Sequence, residues 1–582
     1  MNSINKRFIH TFFLIMGFAL IAHGQSEDAT FPGKITTPYP TLTCLAIEWE
    51  IVGDDDQDGI VKVSFKQAGS EKWLAAMPLV RVPAGSTEDR TRPTYTWKNK
   101  HSGSIFNLRP DTDYEIRLSL DDPDGGKATE IIKARTRPVP REAENSRIIK
   151  VNPKTLEKAA MIAEPGDVLL LSPGYYESFT MPVDGEPGNP VVLRADNTHP
   201  VIGSTFTEVN LENRKFVIID GLTVWGPVQL RWAENVAVRY CKIESQFGII
   251  AQQQPGCSNC YIADNTVSYK IPWVAESTGS GSIWGGPANI GEGIELTGPG
   301  NVICYNRVSG YRDCISTMED LWVYDQICID IYNNDVSEGP DDGIEADFAM
   351  SNCRIMNNRI TNCGMGVSSQ PGLGGPTYFI RNVMYNIAMA PFKLERRSFG
   401  NLFLHNTVVK SGDGLFEHHG QDAFFNTWWF NNLCIGGSGG GKKGRYSAGD
   451  GLAVALPGYN ATCKFDYNAV GTVNTPFAGM IADQRFENIE GLECLTGASH
   501  CVQVNMDVFA KEVEFPDPVF PERQAQDLRI ATGSAASDGA LLLPNINDDF
   551  NGKAPDIGAY EAGKPLPHYG PRARGVDEDT AN

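Results

Sequence analysis

A chain of 582 residues is too long for one ordinary hydrophobic core, so two or more domains are expected. Its 41% hydrophobic and 21% charged residues exclude wholesale disorder. The net charge of −21 argues against nucleic acid as a partner, yet leaves room for an anionic sugar held by a local basic island.

Lys6 and Arg7 precede an apolar run from Phe8 to Ala22, and Ala22-His23-Gly24 offers a small-x-small cleavage site. The run is shorter than the roughly 20 residues a membrane span needs. Residues 1–24 therefore read as a signal peptide, which makes the mature protein secreted or periplasmic with no membrane span. Thirteen cysteines allow disulfides there, with Cys257/Cys260 and Cys494/Cys501 as close candidates, and the odd number leaves at least one thiol free. Cys304, Cys328 and Cys353 lie in apolar runs and read as small buried hydrophobes.

Residues 30–138 show short alternating runs between turn-rich segments, for example Leu45–Trp49, Val61–Phe65 and Tyr114–Leu118, as in a small β-sandwich. The stretch Leu108-Arg109-Pro110-Asp111-Thr112-Asp113-Tyr114 resembles the tyrosine corner of fibronectin type III domains, and Trp49 matches their core tryptophan. The run Asp54-Asp55-Asp56-Gln57-Asp58-Gly59 starts like a calcium loop but has Phe65 where the bidentate Glu belongs, so it reads as a solvated turn. Arg137-Pro138-Val139-Pro140 reads as the linker.

From residue 146 the texture changes to repeats centred on asparagine. Asn334, Asn358, Asn382 and Asn406 are each 24 residues apart, Asn432 follows at 26, and Asn265 and Asn306 continue the series backwards with insertions. Short β-rich units at this period predict a solenoid, a right-handed parallel β-helix over 146–562. An Asn at one fixed turn can hydrogen-bond to the Asn above and below, and tolerates left-handed backbone angles. A short helix near Glu157–Met161 is expected to cap the first coil, and 563–582 to form a disordered tail.

The opening coil, Ala163-Glu164-Pro165-Gly166-Asp167-Val168 and Ser172-Pro173-Gly174-Tyr175-Tyr176, resembles polysaccharide lyases of the chondroitinase B and alginate lyase type. The segments Asp527–Ile530 and Pro555–Glu561 resemble the closing part of many bacterial β-helix proteins. In that lyase family a Lys base and an Arg act beside calcium-bound acids, but its catalytic signatures are absent here, so no residue carries over. The candidate site comes instead from the repeat itself.

After each ladder Asn a second strand is centred on an apolar residue: Ile249, Ile294, Ile315, Ile344, Val367, Phe392 and Leu415. Strand alternation then turns positions +1 and +3 outward. This column count gathers Glu345, Asp347, Lys393, Glu395 and His418 as candidate catalytic groups. Arg396, Arg397 and His419 adjoin them as substrate-binding candidates, with Arg381 and His405 stacked before their ladder Asn and Trp284 in an insertion. Glu345 and Asp347 are also candidate calcium ligands.

Mixed acids, bases and cations of this kind suit β-elimination on a uronate-containing polysaccharide or oligosaccharide, with a sugar or water leaving. Glycoside hydrolysis by paired carboxylates and a non-catalytic binding or adhesion role are the alternatives. The expected partner is an anionic polysaccharide or oligosaccharide, and the expected state a monomer.

Overall fold

The computed structural model describes residues 28–87, 94–196, 203–251, 256–275, 277–278, 290–317, 324–418, 423–443 and 446–580. The expected signal peptide lies outside them. No helix among them is long and apolar enough to cross a membrane.

The N-terminal strands form a sandwich-like antiparallel array of seven, in which Leu74–Val82 pairs with both Lys100–Ile105 and Ile60–Gln67 and so joins the two halves. Alternate residues (Ile47, Trp49, Val61, Val63, Ile116, Leu118) fill its core. The Tyr114 hydroxyl accepts the Arg109 N–H at 2.9 Å, the tie-back expected at the corner. In the acidic turn only Asp54 is buried; it pairs with Arg81 and accepts the Gly59 N–H, while Asp56 and Asp58 stay exposed.

Beyond Arg147 the chain is a parallel β-helix. One strip is a 13-stranded sheet running from Arg147–Val151 to Lys464–Asp466. The other two strips make up a 24-stranded sheet whose strands pair with their next-but-one neighbours. Asp335–Glu345 and Arg359–Ser369 are each 11 residues long and run through the corner between those two strips.

The asparagines line the turn between the first and second strips, fully buried. Each Nδ2 donates to the next Asn Oδ1 at 2.9–3.1 Å from Asn265 to Asn468, one rung beyond the last predicted member. The left-handed backbone falls not on the ladder Asn but on the residue before it, including Asn333 (φ 53), Asn357 (φ 52), Arg381 (φ 55) and His405 (φ 57). Side-chain hydrogen bonding, not backbone permissiveness, is what the ladder position requires.

Inside, Phe379, Phe403 and Trp429 stack at centroid distances of 4.7 and 4.2 Å. The helix Leu156–Ala160 closes one end with Leu156 and Ala160 in the core. At the other end Ile489–Thr496 inserts Leu492, a cap the sequence reading did not anticipate. The C-terminal segments expected to close the helix instead run back along its side, where Ile557 and Ala559 pack against Val409, Leu433 and Ile435.

The expectation of a disordered tail is corrected. Arg572 is buried and pairs with Asp264 at 2.9 Å and Glu578 at 3.1 Å, and Glu578 accepts from Tyr261 and Tyr332. A charged tail looks disordered when its partners lie hundreds of residues away. The Pro-rich linker is also docked, with Arg137 donating to the Asn259 and Gly300 carbonyls. The sandwich packs on the outside of the 13-stranded sheet through Val80, Val82, Trp97 and Phe106 against Tyr378, Ile380, Leu402 and Leu404. All thirteen cysteines are free, Cys257/Cys260 and Cys494/Cys501 included, and Cys304, Cys328 and Cys353 are buried as expected.

Candidate active site

The register confirms most of the +1 column: Ile250, Glu295, Ser316, Glu345, Ser368 and Lys393 pair in successive coils. It then shifts. Phe392 pairs with Glu417 and Lys393 with His418, so His418 continues the Lys393 column rather than that of Glu395. The His418 side chain, all of His419 and all of Trp284 lie outside the described residues.

The structure adds a column that the alternation rule had assigned to the interior. Glu292 and Asp313 are register partners at position −2, and the Asp342 N–H donates to Asp313 Oδ1 at 2.9 Å. The strand Asp335–Glu345 carries a register shift between Gly339 and Asp342. There the strand turns the corner, which brings position −2 to the same pocket as +1. Candidate oxygens of Asp313, Asp342 and Glu345 all lie within 4.8 Å of one another, each on a buried residue. Lys393 Nζ sits 2.6 Å from Asp342 Oδ2. Arg312 closes one side, with Nε 3.3 Å from Asp313 and 3.4 Å from Asp341.

Glu345 accepts from Ser316 Oγ at 2.7 Å; Asp347 accepts from Ser368 Oγ at 2.6 Å and the Gln370 N–H at 2.7 Å. Asp347 is thus committed to its own loop, and the metal-ligand expectation moves from Glu345 and Asp347 to Asp313, Asp342 and Glu345. Burial, then the neighbouring carboxylates, push Glu292 and Glu345 well above the usual carboxylate range. Burial also raises Asp342 well above it although Lys393 pulls it down, and takes Asp313 up to about 6 against Arg312. Burial alone would lower the Lys393 ammonium, but Asp342, Asp341, Asp347 and Glu345 outweigh it and hold it well above the ordinary lysine value.

Arg396 and Arg397 follow in two consecutive left-handed residues (φ 55 and 58), a strained arrangement for side chains of this size. With Trp97, Phe399 and Phe425 they line a cavity of about 300 Å³, and the Arg397 guanidinium lies 4.8 Å from the Phe425 ring centre. The charge of Arg396 is felt at Asp347, as is that of Lys393, which ties this cavity to the acidic nest. Glu395 is half-buried and presses on Glu417, a buried carboxyl that burial raises to about 8. Trp273 is buried and packed against Phe520.

His405 and Arg381 are not part of this site. His405 is fully buried: Nδ1 faces the Gly558 carbonyl at 3.1 Å and Nε2 accepts from Asn547 and Asn431, so burial keeps it neutral. It fastens the C-terminal segment. Arg381 donates to the Ala559 carbonyl beside it. Both sit at the ladder turn, a corner away from the Lys393 column.

No protein-family profile matches the chain, and no curated protein matches it. Among solved structures it is similar to a pectate lyase, Pel9A, at 14% identity, covering 72% of this chain and 97% of that one with a TM-score of 0.41. It is also similar to a family 28 exopolygalacturonase of Yersinia enterocolitica (11% identity, 77% and 98% covered, TM-score 0.26). A third likeness is to a PL6 family alginate lyase, AlyGC (12% identity, 72% and 60% covered, TM-score 0.32). At these scores they decide nothing about activity, and the strand pairing above carries the fold by itself.

Proposed function

We propose that this protein is a secreted or periplasmic carbon–oxygen lyase that acts by β-elimination on uronate-containing polysaccharide or oligosaccharide. The observation that carries the reading is an amine, Lys393, placed 2.6 Å from a carboxylate in a buried nest of three acids. A hydrolase needs two separated carboxylates, about 5–9.5 Å apart across a sugar bond. Acids drawn within 4.8 Å of one another suit shared cation binding better.

The donor set fits a hard divalent cation of the calcium class. Asp342 Oδ1 is buried without a hydrogen-bond donor, Asp313 Oδ2 faces the Arg312 guanidinium at 3.3 Å without a well-aligned hydrogen bond, and all three ligands offer oxygen. When bound, such a cation would supply positive charge against the substrate carboxylate. The chain's own groups do the rest. Arg396 and Arg397 orient the carboxylate from the adjoining cavity. Lys393, as free amine, takes the C5 proton; the C5–H electron pair becomes the C4=C5 double bond, the C4–O bond breaks, and the leaving oxygen takes a proton from water. The leaving group is a sugar in a polysaccharide lyase and water in an oligosaccharide dehydratase. We read the sandwich as a fibronectin type III-like support that walls the Arg396 cavity with Trp97.

Incubation with uronate polysaccharides should produce the ultraviolet absorbance of an unsaturated uronate. New reducing ends with a flat absorbance trace would replace this reading with hydrolysis.

The nest also makes a stability prediction. Glu345 has its folded value raised above the ordinary 4.5, so its contribution is fully present below that pH and is lost as pH rises through the folded value. At neutral pH without a cation, Glu345→Gln is therefore expected to stabilise the protein. Calcium at 100 times its dissociation constant should stabilise the wild type by about 2.7 kcal/mol and the variant by much less. Scanning calorimetry with and without calcium measures both; indifference of the wild type to calcium would rule out the cation.

A further inference from the structure

We propose that the cleft between the sandwich and the β-helix is a second binding site, taking a carboxylate-bearing sugar unit with Arg381 as its receptor. The cleft encloses about 760 Å³, within the range of about 300–1,000 Å³ typical of small-molecule sites. Three parts of the chain line it: Phe65 and Arg109 from the sandwich, Asn357 and Arg381 from the helix, and Tyr560 and Lys564 from the C-terminal segment.

Arg381 carries the argument. Its Nη1 donates to the Ala559 carbonyl at 3.0 Å, and among the described residues no carboxylate comes within ion-pairing distance of it. Burial holds it below the ordinary arginine range, with Asp549 and Glu561 too weakly placed to reverse that. A half-buried cation with a single neutral partner, facing an open cavity, is a receptor for an anion.

The surroundings agree in sign. Lys66, Lys72, Arg109 and Lys564 share the walls with Arg381, against Asp548, Asp549 and Glu561. Lys564 is already paired with Asp549 and Lys66 with Glu115, and Glu561 accepts the Asn551 and Asp556 N–H groups. That leaves Lys72, Arg109 and Arg381 against Asp548 and Glu561, a small excess of positive charge in a chain of net charge −21. Asn107 and Asn357 add amides, and Phe65 and Phe106 add the apolar wall that sugar rings use. A sugar acid as carrier of the carboxylate rests on the proposed substrate class; the placement of the cations does not.

The test is calorimetric titration of the full chain carrying Arg396→Gln and Arg397→Gln, which disables the other cavity without touching this one. Tri-galacturonate and tri-mannuronate are the probes and galactotriose the neutral control. At least one acidic probe is expected to bind with a stoichiometry of one, about tenfold or more tighter than the control. Adding Arg381→Gln should weaken that binding about tenfold or more. Lys72→Glu, on an exposed residue that cannot compromise the core, should weaken it as well. Equal binding of the neutral sugar, no binding of either acidic probe, or indifference to Arg381→Gln would overturn the proposal. Because the titration reads no turnover, a chain that fails to eliminate uronates can still pass it, and an active one can still fail.

Discussion

Lys393→Met is expected to lower the rate of unsaturated-product formation by about 10²–10⁴-fold, the usual worth of a positioned general base. Methionine keeps the length and removes the amine, and Asp342, already favoured as the neutral acid by burial, can take up a proton. The sharper variant is Lys393→Arg. It preserves a cation against Asp342, so the ion pair at 2.6 Å survives in kind. A guanidinium cannot give up its proton, however, so a base role predicts an equally inactive enzyme with an intact fold. If Lys393→Arg turned over like the wild type, Lys393 would be a structural partner only. The pH profile adds an independent reading. The carboxylates around Lys393 hold it in the ammonium form beyond the ordinary value of 10.5, so the free amine becomes more abundant as pH rises. Turnover should climb towards alkaline pH, and calcium, by neutralising those carboxylates, should move the rise to lower pH. A kcat/KM profile that is flat with pH would exclude Lys393 as the base.

Much of this was legible from one residue type at one spacing. A buried Asn that both donates and accepts has no substitute, so it marks the eight successive coils from Asn265 to Asn468, and its period by itself assigns Glu345 and Lys393 to one column. The count went wrong where the backbone stops being regular. Strict alternation sends position −2 inward, which hid Glu292, Asp313 and Asp342; the strand bends through a corner there, and inward becomes outward. The acids were nonetheless visible at a constant offset before Ile294, Ile315 and Ile344, a signal that a column count over all offsets would have found. The strand Leu415–His418 slips by two residues against its neighbour, which no period in the sequence announces. Arg381 and His405 were grouped with the site because they stack in sequence phase, but phase fixes a turn and not which neighbour covers it. Their partners, Ala559 and Gly558, lie more than 150 residues away.

The ladder itself should be expensive to interrupt. Asn382 is fully buried, donates to Asn406 Oδ1 at 3.1 Å and the Ile355 carbonyl at 2.9 Å, and accepts from the Asn358 N–H and Nδ2 at 3.1 and 3.0 Å. Asn382→Ala removes the four bonds together: the buried Asn358 N–H loses its acceptor outright, while Asn406 Oδ1 keeps the N–H of residue 382 and Asn358 Nδ2 keeps the Ile331 carbonyl. Each orphaned group costs about 1–3 kcal/mol, so a loss of roughly 3–5 kcal/mol is expected even after some relaxation. Because a solenoid opens locally rather than all at once, the most direct measurement is amide hydrogen exchange. The Asn358 N–H, whose acceptor is deleted, should lose protection first, along with the coils on either side. The neighbouring position supplies the control. Asn357 has φ 52 and stands outside the ladder, so Asn357→Gly suits a backbone that glycine adopts freely and should change stability little. If Asn382→Ala exchanged like the wild type while Asn357→Gly did not, the asparagine repeat would be a record of backbone angle after all. The reverse pattern assigns the 24-residue period to the hydrogen-bonded amides, which is what makes that period a reliable guide to the columns where Lys393 and its acids stand.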